Sequence, residues 1–191
     1  MSRRKAIIEA ALSCFVEHGV EATTIEMICK AAGASVGSLY HHFGNKEGLA
    51  AEVYIAGLRD FQKTMHLALV QVSEIELAVR TLVYGNIDWI VANPIWANYV
   101  FHYRQIMSQA ELEKNFRSEA VQANIAVWER LKKLDTAGQL KELPVEVFYT
   151  LIIAPVHEYA KRWLEGRYRP ALIDQREIFA DAAWAAVSRR I

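Results

Sequence analysis

Gly33 is the residue that most narrows what this chain can become. A helical pattern running from about residue 24 to 31 breaks there, and just beyond Ala34 the side chain of Ser35 is placed to start another. Glycine ends helices because it enters left-handed backbone space at no steric cost. Serine starts them by accepting a hydrogen bond from an N–H that the first turn leaves unpaired. Two helices joined by so short a turn have the length and the glycine of a helix-turn-helix. The flanks agree: Thr23 followed by Glu26 forms a capping-box pattern ahead of Ile25, Ile28, Cys29 and Ala32. Ala6, Ile7, Ala10, Ala11, Cys14 and Phe15 recur at helical spacing and Gly19 follows, which predicts a first helix over residues 3 to 18. Ser35 opens a very short third helix reaching His42, and Asn45 caps a long fourth that begins at Lys46.

Ala, Leu, Glu, Lys, Arg and Gln are plentiful throughout and alternation of period two is lacking, so the whole chain reads as all-α. Further helices are expected near 74 to 92, 95 to 107, 111 to 136, 145 to 165 and 174 to 189, punctuated by Asn93-Pro94, Gly138, Pro144, Gly166 and Pro170. The shift from short helices to long ones predicts two domains, 1–50 and 51–191, crossed by one continuous helix and not by a flexible linker. An apolar fraction of 53% suffices for a core and argues against disorder. Lys+Arg and Asp+Glu balance at 22 each, which argues against bulk polyanion binding and leaves position to decide. Cys14 and Cys29 are too few for a disulfide framework or a four-thiolate zinc site, and no charged-then-apolar leader precedes them. The longest apolar runs, such as Leu151 to Val156, fall far short of the roughly 20 residues a bilayer span needs. A soluble, cytoplasmic chain with no membrane contact is the expectation.

The run TTIEMICKAAGASVGSLYHHFGNKEGL, Thr23 to Leu49, closely resembles the DNA-binding domain of TetR-family transcriptional regulators. Thr24, Ile28, Ala32, Gly33, Ser35, Gly37, Leu39, Tyr40, Phe43, Lys46 and Leu49 carry the likeness. In the second half, LIIAPVHEYAKRWLEG is similar to the family's penultimate helix. The resemblance implies an N-terminal three-helix helix-turn-helix domain joined by a long helix to a C-terminal helical domain for ligand binding and dimerisation. It also implies the partner, a palindromic double-stranded DNA operator bound by a homodimer, with release of a repressor by a small molecule.

The residues can be weighed for that role one by one. Gly37 lets the third helix press its backbone against a duplex, and the resemblance assigns Tyr40 to a phosphate. His41 stands open between phosphate, base edge and solvent. Lys46 lies in the first turn of a helix, where a cation opposes the dipole, and a DNA phosphate supplies a reason for it. Thr24 and the free N–H groups after it form an anion-binding helix start, or simply a cap. Arg3, Arg4 and Lys5 read as a basic arm or as a solvated terminus. Base reading then falls to Ser35, Val36, Ser38 and His41. Val36 departs from the polar residue common there in the family, which leaves the operator sequence open. Residues 1 to 50 hold five basic and five acidic side chains, so few phosphate contacts and a modest salt dependence are expected.

All five Trp lie beyond residue 88. In the resembled family an inducer cavity occupies this region, which makes Trp89, Trp96, Tyr99, His102, Tyr103, Met107, Trp128, Tyr149, Ile152 and His157 the candidate ligand-binding residues. Their aromatic, mostly uncharged character suits a hydrophobic or planar effector. Each taken alone reads more readily as core. Pro155 interrupts an apolar helix and predicts a kink beside this region. Residues 145–165 and 174–189 resemble the family's dimerising pair, which forms a four-helix bundle across a twofold axis. No GxSxG, HExxH, Walker loop or dinucleotide fingerprint occurs, so no catalytic or metal-binding residue and no cofactor is expected. Three readings remain open: a ligand-responsive regulator, a regulator of the same fold controlled by a protein partner or by nothing, and an all-helical enzyme or carrier. Cys29, replacing a small residue, adds redox sensing as an option.

Overall fold

The computed structural model describes residues 2–103 and 117–189. The fold is all-α, with an N-terminal helix-turn-helix followed by longer helices. In chain order these are α1 (Arg3–His18), α2 (Ile25–Ala32), α3 (Val36–Phe43), α4 (Lys46–Val70), α5 (Ile75–Ala92), α6 (Pro94–Tyr103), α7 (Arg117–Leu134), α8 (Val145–Leu164) and α9 (Arg176–Val187), with a 3-10 turn over Leu172–Gln175. Among the described residues the sole extended pairing is an isolated antiparallel bridge between Leu140 and Ser188. The far end of the helix expected to reach residue 107, and the start of the one expected from 111, lie outside the described residues.

The chain divides into two compact units. One comprises Met1–Arg59 with Ile95–Arg117, the other Asp60–Pro94 with Ser118–Ile191. Helix α4 contributes to both. Among the described residues, Ile95–Tyr103 clusters with the N-terminal ones. Tyr99 is the reason: its hydroxyl donates to the Ala50 carbonyl at 2.9 Å, and its ring stacks on Phe15 with centroids 5.9 Å apart.

In the N-terminal unit, Ile7, Ala11, Phe15, Ile28, Leu39, Leu49 and Val53 form the core. The helix stops fall as local chemistry dictates. Gly19 and Gly33 both have positive φ, 80° and 60°, and their N–H groups close onto Phe15 and Cys29. Ser35 caps α3 by accepting from the Ser38 N–H at 3.2 Å, and Asn45 caps α4 by accepting from Gly48 at 2.6 Å. The start of α2 differs from expectation. Thr24 is the cap, accepting from Met27, while Thr23 is buried and spends its hydroxyl on the carbonyls of Cys14 and Gly19. A threonine drawn into the core cannot also face the first turn.

In the other unit α5 lies against α8 and α9. Val79, Val83, Ile87, Phe148, Ile152, Val156, Ala160 and Leu172 are buried there. Ion pairs rim the α5 and α9 surfaces: Arg80 reaches Glu76 and Asp181, Tyr84 donates to Glu177, and Arg176 pairs with Asp88 while lying over the Tyr84 ring. Pro155 sits inside α8, which continues unbroken on both sides of it.

Candidate nucleic-acid interface

Helix α3 turns two side chains inward and the rest outward. Leu39 and Phe43 are buried, anchoring it on the core, while Ser35, Val36, Gly37, Tyr40 and His41 are exposed and Ser38 is half-buried. The outward set is the one expected to read DNA. At Gly37 a Cβ would meet no protein atom within 4 Å, so nothing inside the protein demands a glycine there. Tyr40 is 48% exposed and not packed under α1, and among the described residues its hydroxyl has no partner. The Ser35 oxygen is engaged as the cap, which leaves its proton to donate. The rings of His41 and His42 lie side by side at 5.4 Å. Thr24 is exposed at the start of α2, beside first-turn N–H groups that the helix leaves unpaired.

Two expectations about basic residues change. Lys46 does have an intramolecular reason for standing at a helix start: its ammonium donates to the carbonyl oxygens of Glu21, at 2.9 Å, and Thr23, at 3.1 Å. Two of its three protons therefore tie α4 to the segment leading into α2. Arg3, Arg4 and Lys5 are no arm. Ser2 caps α1 and these residues form its first turn, with Arg4 paired to Glu52 and lying over the Phe43 ring, and Lys5 near Glu9.

Sequence reasoning passed over Gly48. A Cβ there would collide with the Phe43 carbonyl oxygen, a backbone atom that cannot swing away, so glycine holds the α3–α4 corner closed. The glycine after the Asn45 cap was the available signal.

The candidate effector residues separate between the two units. Trp96, Tyr99, His102 and Tyr103 lie on α6. Trp96 packs against Gly57 of α4, Tyr99 and Tyr103 stack at 5.0 Å with Tyr103 beside Tyr54, and His102 is exposed with Nδ1 at 2.9 Å from the Asn98 carbonyl. These contacts make Trp96, Tyr99 and Tyr103 part of the packing of the N-terminal unit. The others belong to the C-terminal unit. Trp89 is buried, donates to Asp60 and meets Phe61 edge-on. Trp128 meets Phe148 edge-on, the Tyr149 hydroxyl donates to the Asn124 carbonyl, and Ile152 is core. His157 pairs with Asn86. Met107 lies outside the described residues. A surface cavity of about 600 Å³ touches Trp128, Lys132, Asp135, Lys141 and Arg189, so Trp128 alone of the candidates lines it.

Burial pushes the thiols of Cys14 and Cys29 up, with Glu17 and Glu26 adding to it. The thiolate that redox chemistry requires is therefore disfavoured at both. Among the described residues no group of three His, Cys, Asp or Glu is arranged to hold a metal ion, and no helix is long and apolar enough to cross a membrane.

A short capped helix, held by two buried side chains and presenting hydroxyls, a glycine and a tyrosine outward after a left-handed turn, defines a helix-turn-helix DNA-binding protein. Residues 7–53 match the family model for bacterial regulatory proteins, tetR family. By this match the N-terminal domain is that of a TetR-family transcriptional regulator. It is 27% identical over 171 residues to the HTH-type transcriptional repressor AcnR of Corynebacterium glutamicum, covering 85% of this chain and 82% of that one. Against the repressor KstR2 of Mycolicibacterium smegmatis it is 45% identical over 60 residues, 31% of this chain and 27% of KstR2. A TetR-family regulator from Marinobacter aquaeolei VT8 shares the fold with a TM-score of 0.82 at 20% identity, over 98% of this chain and 96% of that one. FadR of Bacillus subtilis, solved with stearoyl-CoA, has a TM-score of 0.75 at 15% identity, covering 95% and 97% of the two chains.

Proposed function

We propose that this regulator is a homodimeric, ligand-responsive repressor that binds a palindromic operator through α2 and α3 and releases it when a small hydrophobic or aromatic effector binds the C-terminal helices. The observation that carries the DNA reading is Gly37: a glycine with open space around it inside the protein is explained by something outside that comes close. Tyr40, Thr24 and the remaining N–H of Lys46 supply phosphate contacts. Ser35, Val36, Ser38 and His41 face the base edges. One such helix reads one half-site, and a twofold pair about 34 to 36 Å apart reads a palindrome.

The dimer is proposed to form through residues 145–165 and 174–189. Val147 and Leu151 follow one another along an exposed face of α8, and Ile178 of α9 is 65% exposed. Apolar side chains so placed gain by meeting their twofold mates. Effector candidates are Trp89, Trp128, Tyr149, Ile152 and His157. That a protein of this fold, FadR, holds stearoyl-CoA fits an effector-binding role for these helices. Helix α4 runs from Lys46 at the DNA-reading end to Val70, and effector binding would favour a different tilt of it. By linkage, operator must weaken effector binding by the factor by which effector weakens operator, typically about 5 to 150-fold.

A gel shift with DNA upstream of the regulator's own gene tests the DNA reading, and failure to bind at low salt refutes it. Equal effector affinity with and without operator refutes the switch.

A further inference from the structure

We propose that Asn86 is the polar anchor of a small-molecule site within the C-terminal unit, and that this site takes an apolar molecule bearing one neutral carbonyl oxygen. The proposal rests on the effector reading above and gives its ligand a chemistry.

Asn86 is fully buried in α5. Its Oδ1 lies 3.2 Å from Nε2 of His157 on α8, which is half-buried. With Oδ1 toward the imidazole, the amide nitrogen points the other way. There Nδ2 finds no acceptor. The buried neighbours along both helices are apolar: Val83, Ile87 and Ile90 on α5, Ile152 and Val156 on α8. A desolvated donor without an acceptor destabilises a protein, and a leucine of similar volume would fill the same space without that cost. An asparagine held in this state is matched by an acceptor that arrives from outside. A ketone, ester or amide oxygen fits a neutral amide donor. A carboxylate would bring a full charge among aliphatic side chains. The rest of the molecule meets hydrocarbon and must itself be apolar.

The test uses the full chain and two matched pairs of probes, 2-nonanone with nonane and camphor with bornane. Binding is read by thermal shift, and the bound ketones by their infrared C=O stretch. Wild type is expected to bind at least one ketone about tenfold more tightly than its hydrocarbon partner, the effect of one hydrogen bond in a dry site. The bound C=O stretch should move to lower wavenumber. Asn86→Leu should erase both effects, and Asn86→Ala, which also removes the donor and introduces no charge, serves where the leucine variant fails to fold. A ketone preference that survives both substitutions overturns the proposal. So does an unshifted stretch, or no ketone binding by wild type, the result expected if Nδ2 serves a buried water instead. A gel shift with the operator is a separate arm: Asn86-dependent ketone binding that leaves the operator complex intact supports this site and refutes the effector reading.

Discussion

The Lys46 ammonium lies 3.1 Å from the carbonyl oxygen of Thr23, and Thr23 in turn donates its hydroxyl to Cys14 and Gly19. Through these bonds α4, the segment before α2 and the end of α1 are fixed to one another. Replacing Lys46 with Met is therefore expected to cost about 1 kcal/mol of stability, the loss of charge-assisted bonds at a half-exposed site. Operator affinity should fall as well. Urea unfolding beside a gel shift separates the roles, because a residue serving only phosphate would leave the unfolding midpoint where it was.

Gly37→Ala makes the opposite prediction. The added methyl meets no protein atom within 4 Å, and alanine favours helix over glycine, so stability should hold or rise by up to ~1 kcal/mol. Operator affinity should drop at least tenfold because the methyl stands where the duplex comes closest. A variant that is more stable and binds operator equally well would remove Gly37 from the interface.

Tyr40→Phe tests the hydroxyl by itself. The side chain is 48% exposed, so the change should leave stability within about 0.5 kcal/mol. Loss of one phosphate hydrogen bond should weaken binding about five- to tenfold, and by the same factor on specific and random DNA, because phosphate contacts carry no sequence information.

Much of the N-terminal unit was legible in the sequence because its decisive interactions are local. Ser35, Asn45, Gly19 and Gly33 act within a turn of themselves, and a string of residues displays such relations directly. What could not be read was the choice between Thr23 and Thr24 as cap. It is settled by the Thr23 hydroxyl reaching Cys14, a contact made by packing. Arg4 looked like part of a basic arm because its partner, Glu52, is remote in the chain. The aromatic residues after Trp89 looked like one set because they are consecutive. Folding divides them: Tyr99 turns to Phe15 and Ala50, while Trp89 turns to Asp60. Asn86, set among Val83, Ile87 and Ile90, carried a signal that periodicity overlooks, a lone amide in an apolar run.

Tyr99 also sets a pH dependence. Burial, with Tyr103 adding to it, pushes its phenol well above the ordinary value. The folded protein keeps this proton where the unfolded chain has lost it. Its contribution is thus whole below about pH 10 and declines above that, at about 1.4 kcal/mol per pH unit for one group. Burial raises Tyr149 in the same way. Tyr99→Phe should lower stability at neutral pH, through the lost bond to Ala50, and flatten the alkaline decline by one group's slope. Urea titrations between pH 8 and about 11 read both quantities.

The dimer reading stands on side chains that the single chain leaves in water. Leu151 is 37% and Ile178 65% exposed, so charging either should shift stability of the isolated chain by no more than about 0.5 kcal/mol. Leu151→Glu sets two like charges facing each other across a twofold axis, where desolvation and repulsion act together. The variant should sediment as a monomer at concentrations where wild type is a dimer. Each half-site would then be bound singly, and operator affinity should fall by about 10² to 10⁴, the factor that linkage of two reading heads contributes. Binding to an isolated half-site should not change, because α3 and its supports are untouched. A Leu151→Glu protein that remains dimeric would place the twofold interface on another face, and one that is monomeric yet binds the palindrome at full strength would show that a single head suffices.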